Sequence, residues 1–140
     1  MLELAGEYQT TIRLPIARAT DGYLYDRAGS YGLPDQLYDA YLEFMPSLLS
    51  EFRPPHPDCF IGGFYDETAT QEEFLRILDS LGGGDYELMC HPGYADAELI
   101  ATSGYAQPRE SELAILTDPL IRERVQERGI EIISFGQLDK

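Results

Sequence analysis

Three consecutive glycines, Gly82-Gly83-Gly84, separate the clearest helix signal in the chain from a run of strand-forming residues. On their amino-terminal side, Thr70-Gln71-Glu72-Glu73 has the composition of a capping box, in which Thr70 and Glu73 satisfy each other's backbone donors. Phe74, Leu75, Leu78 and Leu81 follow at three- and four-residue spacing and supply one buried stripe. The glycines stop that helix because they reach the left-handed backbone conformation without steric cost. Tyr86-Glu87-Leu88-Met89-Cys90 then reads as a strand, and His91-Pro92-Gly93-Tyr94 ends it abruptly. A helix feeding a strand through a short glycine link is half of a βαβ unit, so the sequence is constrained toward a mostly parallel sheet with flanking helices.

The rest of the chain continues this alternation. Leu2-Glu3-Leu4-Ala5 looks like helix, either a short first one or the last turn of one already under way. Thr10-Thr11-Ile12-Arg13-Leu14 is β-branched and alternating, and Pro15 closes it as a short strand. Residues 16 to 35 carry Gly22, Gly29, Gly32 and Pro34 among tyrosines and predict a long loop. Asp35 opens a helix through about residue 51, with Pro46 expected to kink or split it. Pro54-Pro55-His56-Pro57 forces an extended surface link, and Cys59-Phe60-Ile61 before Gly62-Gly63 is a short buried strand. Pro108 opens a helix carrying Leu113 and Leu116, and Asp118-Pro119 opens another that stops at Gly129. Ile130-Glu131-Ile132-Ile133 predicts a last strand. The expectation is an α/β chain of one domain, residues 1–140, with about four mostly parallel strands, against the roughly six to eight of a barrel or wound sheet.

Charge and composition exclude several functions. Ten Lys and Arg against 25 Asp and Glu give a formal net charge of −15, which repels phosphate backbones and anionic leaflets alike. No nucleic-acid or membrane partner is expected. No apolar run approaches the ~20 residues needed to span a bilayer, and no signal-peptide pattern opens the chain. Two cysteines, Cys59 and Cys90, give no disulfide framework, so a reducing cytoplasm is the expected setting.

His91 is the residue whose context points to chemistry. Apolar residues lead up to it, proline stops the strand behind it, and glycine lets the backbone turn away. The carboxyl ends of parallel strands are where ligands bind in α/β proteins, and a side chain titrating near neutral pH there is a candidate acid or base. A core histidine satisfied by a carbonyl is the competing reading. His56, held among prolines, reads as a structural residue. Metal chemistry finds no support in spacing: there is no second histidine at helical distance, no CxxC pair, and only the loop carboxylates Asp96 and Glu98 nearby. The chain also lacks a GxSxG elbow, a P-loop and a GxGxxG turn. Ten tyrosines could line a sugar site through stacking and hydroxyl hydrogen bonds.

The run Glu87 to Tyr94, followed by Asp96, Ser103, Tyr105, Arg109, Glu110, Glu112 and Leu113, resembles the carboxyl-terminal part of the YdjC-like carbohydrate deacetylases. That group includes chitooligosaccharide deacetylases and hopanoid-biosynthesis-associated deacetylases. Leu116-Thr117-Asp118-Pro119, Gly129-Ile130-Glu131 and Ser134-Phe135 continue the resemblance, and Leu2 to Ala5 with Ile12 to Pro15 resemble a helix and strand midway along that family.

The resemblance implies a partial (β/α) barrel of the deacetylase type, the carboxyl-terminal portion of a longer enzyme. Its reaction would be hydrolysis of N-acetyl groups on amino sugars or chitooligosaccharides. His91 would be the catalytic group, as general acid or donor to the oxyanion. Tyr94 and Tyr105 would contact substrate, while Pro92, Gly93, Asp96, Arg109 and Glu112 would shape the site. Arg109 would pair with Glu112 or Asp96. The family's Asp-Asp-Phe-Gly motif and His-rich strand end do not occur here. The resemblance implies a divalent metal, Mg or Zn, in the full-length parent, held by those two motifs; none would be bound by this chain alone, which would be inactive by itself. A half-barrel would also self-associate through bare strand edges. The alternative is a non-catalytic sugar-binding or oligomerisation module derived from that fold.

Overall fold

The structure is a computed structural model that describes residues 1–13 and 35–138. The expected tyrosine-rich loop and Pro15 lie outside the described residues. The chain groups into two compact units, one formed by Met1–Ile61, Gly84–Glu87 and Ile132–Lys140, the other by Gly62–Gly83 and Leu88–Glu131.

In the first unit, helix α1 (Leu2–Glu7) packs on helix α2 (Asp35–Phe52). The approach is close because residue 6 has no side chain: a Cβ there would stand 2.0 Å from the Phe52 carbonyl oxygen. Ala5 and Met45 are buried. Helix α2 runs unbroken through Pro46, so the expected split does not occur. Strands β1 (Cys59–Ile61) and β2 (Tyr86–Leu88) form a two-stranded sheet. The Asp58 and Cys59 amides both donate to the Asp85 carbonyl, which puts the starts of the two strands together and makes them parallel. Arg13 lies over the Phe60 ring, 5.2 Å from its centroid, and pairs with Glu87.

Two expected strands are absent. Residues 10–13 and 130–133 carry no strand, leaving two strands among the described residues where about four were expected. β-branched alternation makes a backbone extended, but a strand exists only when a neighbour completes its ladder. Ile12 gains one such bond, from its amide to the Pro55 carbonyl, and Thr11 one side-chain bond to the Phe135 carbonyl. The proline link also departs from expectation: Pro54, Pro55 and Pro57 are buried instead of lying on the surface. His56 is half-buried with Nδ1 2.7 Å from the Pro54 carbonyl, a structural placement.

The second unit is helical. A single 3₁₀ turn (Asp66–Thr68) leads to α3 (Gln71–Ser80), whose start is capped by the Thr70 side chain accepting from the Glu73 amide; the other half of the expected box is not made, since the Thr70 amide donates to the Thr68 carbonyl at 2.8 Å. Phe74, Ile77 and Leu78 form its buried face, and Phe64 meets the Phe74 ring edge-on at 5.1 Å. Ile77 takes the central place, while Leu75 and Leu81 are only half-buried. Helix α4 (Ala97–Thr102), unanticipated from sequence, is capped by Asp96. Helix α5 (Ala106–Leu116) begins two residues before Pro108. Helix α6 (Pro119–Glu127) starts with Asp118 as cap and Pro119 in its first turn, and Gly129 at φ +63° stops the chain beyond it. Helix α6 packs on α3, helped by Arg124 on Asp79 at 3.2 Å and Arg128 on the Leu81 carbonyl at 2.9 Å. Among the described residues, no helix is long and apolar enough to cross a membrane.

Candidate active site around His91

His91 follows β2 by three residues, on an extended loop that helix α5 grips along its length. The His91 amide donates to Glu112, the Gly93 amide to the Arg109 carbonyl at 3.2 Å, and the Ala95 amide to Glu110 at 3.0 Å. Amides at every second residue of an extended backbone point the same way, so one helix face can hold all three. Pro92 has no amide proton, so its place between two of these contacts leaves no donor unmet. Arg109 adds a bond from Nη1 to the His91 carbonyl at 3.3 Å. Gly93 passes close to that side chain: a Cβ there would sit 3.9 Å from it, in ordinary contact.

Glu112 stands at the centre of this arrangement and is fully buried. One carboxylate oxygen accepts from the His91 amide, the other from the Tyr105 hydroxyl. Tyr105 caps α5 and lies seven residues, or about two turns, before Glu112, which sets both on one face. The Tyr105 oxygen in turn accepts from the Asp66 amide at 3.0 Å. Asp66 holds φ +52°, a left-handed conformation unusual for a residue with a side chain. Burial and, after it, the hydrogen bond to the Glu112 carboxylate push the Tyr105 hydroxyl up to about 12, so it remains a proton donor at neutral pH.

The rings complete the enclosure. Tyr65 stacks on Tyr105 with centroids 4.4 Å apart and planes within 5°. The imidazole of His91 lies edge-on to both, 5.5 Å from Tyr65 and 5.7 Å from Tyr105. Near-equal distances place it beside the pair of rings instead of over either face. Its Nδ1 is buried without a hydrogen-bond partner, and Nε2 takes none among the described residues. The Arg109 guanidinium approaches Tyr105 to 5.7 Å, and its Nε is likewise buried without a partner.

The structure thus brings His91, Tyr105, Arg109 and Glu112 together, with Pro92 and Gly93 in the gripped loop. It separates the others. Tyr94, expected as a substrate contact, is 84% exposed and outside the ring cluster. Asp96 uses its carboxylate to cap α4 through the Leu99 amide at 2.8 Å. The expected pairing of Arg109 with Glu112 or Asp96 is corrected: Arg109 reaches the His91 carbonyl, and Glu112 is taken by two neutral donors. Tyr105, also expected to contact substrate, has its hydroxyl committed on both sides, so only its ring is left to offer. Sequence reasoning missed Tyr65 and Asp66. Their place just beyond the carboxyl end of β1 was the available signal, the same one that singled out His91. Among the described residues, no three His, Cys, Asp or Glu side chains gather as a metal site. Neither cysteine forms a disulfide. A surface depression of about 350 Å³ lined by Thr117, Pro119, Arg122, Glu123 and Gln126 involves none of these residues.

Comparison with known proteins identifies the family. The YdjC-like protein family matches residues 1–127. A carbohydrate deacetylase of Geobacillus stearothermophilus is 33% identical over 121 residues, 84% of this chain and 49% of that protein. A chitooligosaccharide deacetylase of Yersinia pestis is 41% identical over 85 residues, 59% of this chain and 33% of that protein. A crystal structure from Enterococcus faecalis, provisionally assigned to cellobiose-phosphate cleavage, superposes with a TM-score of 0.67 at 29% identity, covering 99% of this chain and 46% of the other. The chain spans about half the length of the first of these curated relatives. With the family matched over most of its residues, the chain belongs to the YdjC-like protein family.

Proposed function

We propose that this chain forms part of a carbohydrate deacetylase that removes N-acetyl groups from amino sugars, and that His91 is its reacting group here. The observation that carries the reading is the state of the imidazole: held by its own main chain and flanked by two tyrosine rings, yet with neither ring nitrogen claimed by the described residues. A histidine fixed in place with a free nitrogen is suited to give a proton to a leaving amine or to hydrogen-bond a developing oxyanion. The names of the Geobacillus and Yersinia relatives give the reaction class.

Each neighbour then has a physical task. Arg109 and Glu112 hold the His91 peptide from both of its polar groups, which fixes the origin of the side chain. Tyr65 and Tyr105 wall off one side of the ring, and the half-exposed Tyr65 offers aromatic surface to a sugar. The described residues do not fit a metal centre. In this proposal the divalent cation implied by the family resemblance draws its ligands from elsewhere in the complete enzyme, and the two parallel strands belong to a (β/α) barrel completed there.

The test is acetate release from N-acetylated chitooligosaccharide by the complete enzyme, wild type against His91→Gln. Loss of a positioned acid–base group lowers turnover roughly 10²–10⁴-fold. Turnover retained within threefold in the variant removes His91 from the chemistry.

A further inference from the structure

We propose that Glu112 is the positioning residue of this site, fixing the imidazole of His91 through the main chain while leaving its Nε2 to the ligand. The inference rests on the reading of His91 as the reacting group and names what sets its position.

A fully buried carboxylate loses its hydration, and that loss must be offset by partners. Among the described residues no cation pairs with Glu112; its partners are the His91 amide and the Tyr105 hydroxyl. An ionised carboxylate only accepts, and each of its oxygens here faces a donor, so the geometry suits the charged form. A carboxylate meant to raise imidazole basicity would accept from the ring N–H. This one accepts from the peptide instead, so it determines where the ring stands without sharing its proton.

The second oxygen extends that control to another loop. Through the Tyr105 hydroxyl it reaches the Asp66 amide, at a residue whose left-handed backbone needs holding. Tyr65, the residue before it, stacks on Tyr105 and meets the edge of His91. One carboxylate therefore anchors both the peptide that carries the imidazole and the ring pair that braces it. Arg109, from the same helix, cannot substitute, because it holds the His91 carbonyl and not its amide.

The experiment uses the ¹⁵N-labelled chain and three variants: Glu112→Gln, Glu112→Ala and Tyr105→Phe. Glu112→Gln keeps the shape and one acceptor but turns the other position into a donor. Hydrogen exchange at the His91 amide should rise roughly 10–100-fold in it, the loss of one charge-assisted hydrogen bond, and further in Glu112→Ala. The His91 ring signals should move in both. Exchange at Ile77 and Leu78, in the buried face of α3, and the ring signals of His56 should stay as in wild type. Tyr105→Phe should move the His91 ring signals with little change at its amide. Unchanged His91 exchange and ring signals in Glu112→Gln overturn the inference. So does faster exchange at Ile77 and Leu78 in step with His91, which means general loosening. If Glu112→Ala does not fold, the other two variants still decide. In the complete enzyme, Glu112→Gln should lower kcat with KM retained. Should His91→Gln leave turnover intact while Glu112→Gln displaces the His91 signals, the catalytic reading falls and the positioning stands. Should His91→Gln abolish turnover while Glu112→Gln changes neither signals nor kcat, the reverse holds.

Discussion

Removing one oxygen atom at Tyr105 tests the hydrogen-bonded centre of the site most economically. In Tyr105→Phe the ring stays to stack on Tyr65, while the buried Glu112 carboxylate loses a donor and the Asp66 amide loses its acceptor. A hydrogen bond to a charged group contributes about 1.5–3 kcal/mol, and a buried acceptor left short of a partner is costly. The Asp66 amide lies on an exposed residue and regains water, so its share is small. The expected loss is about 2–3 kcal/mol, which for a chain of this length corresponds to a fall in Tm of roughly 7–10 °C. Thermal unfolding at pH 7 followed by circular dichroism measures it, with Tyr94→Phe, at an exposed ring, as the control that should not move. Alkaline pH supplies a second signature. The folded hydroxyl titrates at about 12, above the ordinary 10, so its stabilisation is complete below pH 10 and is lost as pH rises through 12. The stability gap between wild type and Tyr105→Phe should therefore narrow between pH 10 and 12. A Tm within 2 °C of wild type at pH 7, or a gap that widens at alkaline pH, refutes the reasoning.

Two further substitutions probe the scaffold. Gly6→Ala puts a methyl group 2.0 Å from the Phe52 carbonyl oxygen, so α1 must move off α2; denaturant unfolding should show a loss of about 1–3 kcal/mol. Thr70→Ala removes the side-chain acceptor of the Glu73 amide at the start of α3, and the same assay should register about 1 kcal/mol.

Local signals in the sequence were those that local physics decides. Thr70, Asp118 and Gly129 mark helix ends through caps and backbone conformation that need no distant partner, and the structure places them as read. The strand at Cys59–Ile61 was legible because it is short, apolar and bounded by glycines. Residues 10–13 and 130–133 were misread because alternation says nothing about whether a neighbouring strand is there to complete the ladder. Helix α4 was missed because six residues give too little periodicity, although Asp96 ahead of Leu99 was a usable cap signal.

At the site, the strand-end context singled out His91, and the resemblance brought in Arg109 and Glu112. The pairing among them was not legible. Opposite charges suggested Arg109 on Glu112 or Asp96, yet the His91 amide and the Tyr105 hydroxyl take the Glu112 carboxylate, the Leu99 amide takes that of Asp96, and the guanidinium goes to the His91 carbonyl. Tyr65 and Asp66 lie 26 and 25 residues before His91, and only a parallel β1–β2 pairing brings their loops to the same end.

The central claim is that a sugar reaches the His91 ring. The ¹⁵N-labelled chain titrated with N,N′,N″-triacetylchitotriose should show saturable shifts in the His91 imidazole signals, with those of His56 unmoved as the internal reference. Saccharide binding that leaves the His91 ring silent, or no binding at millimolar sugar, contradicts it.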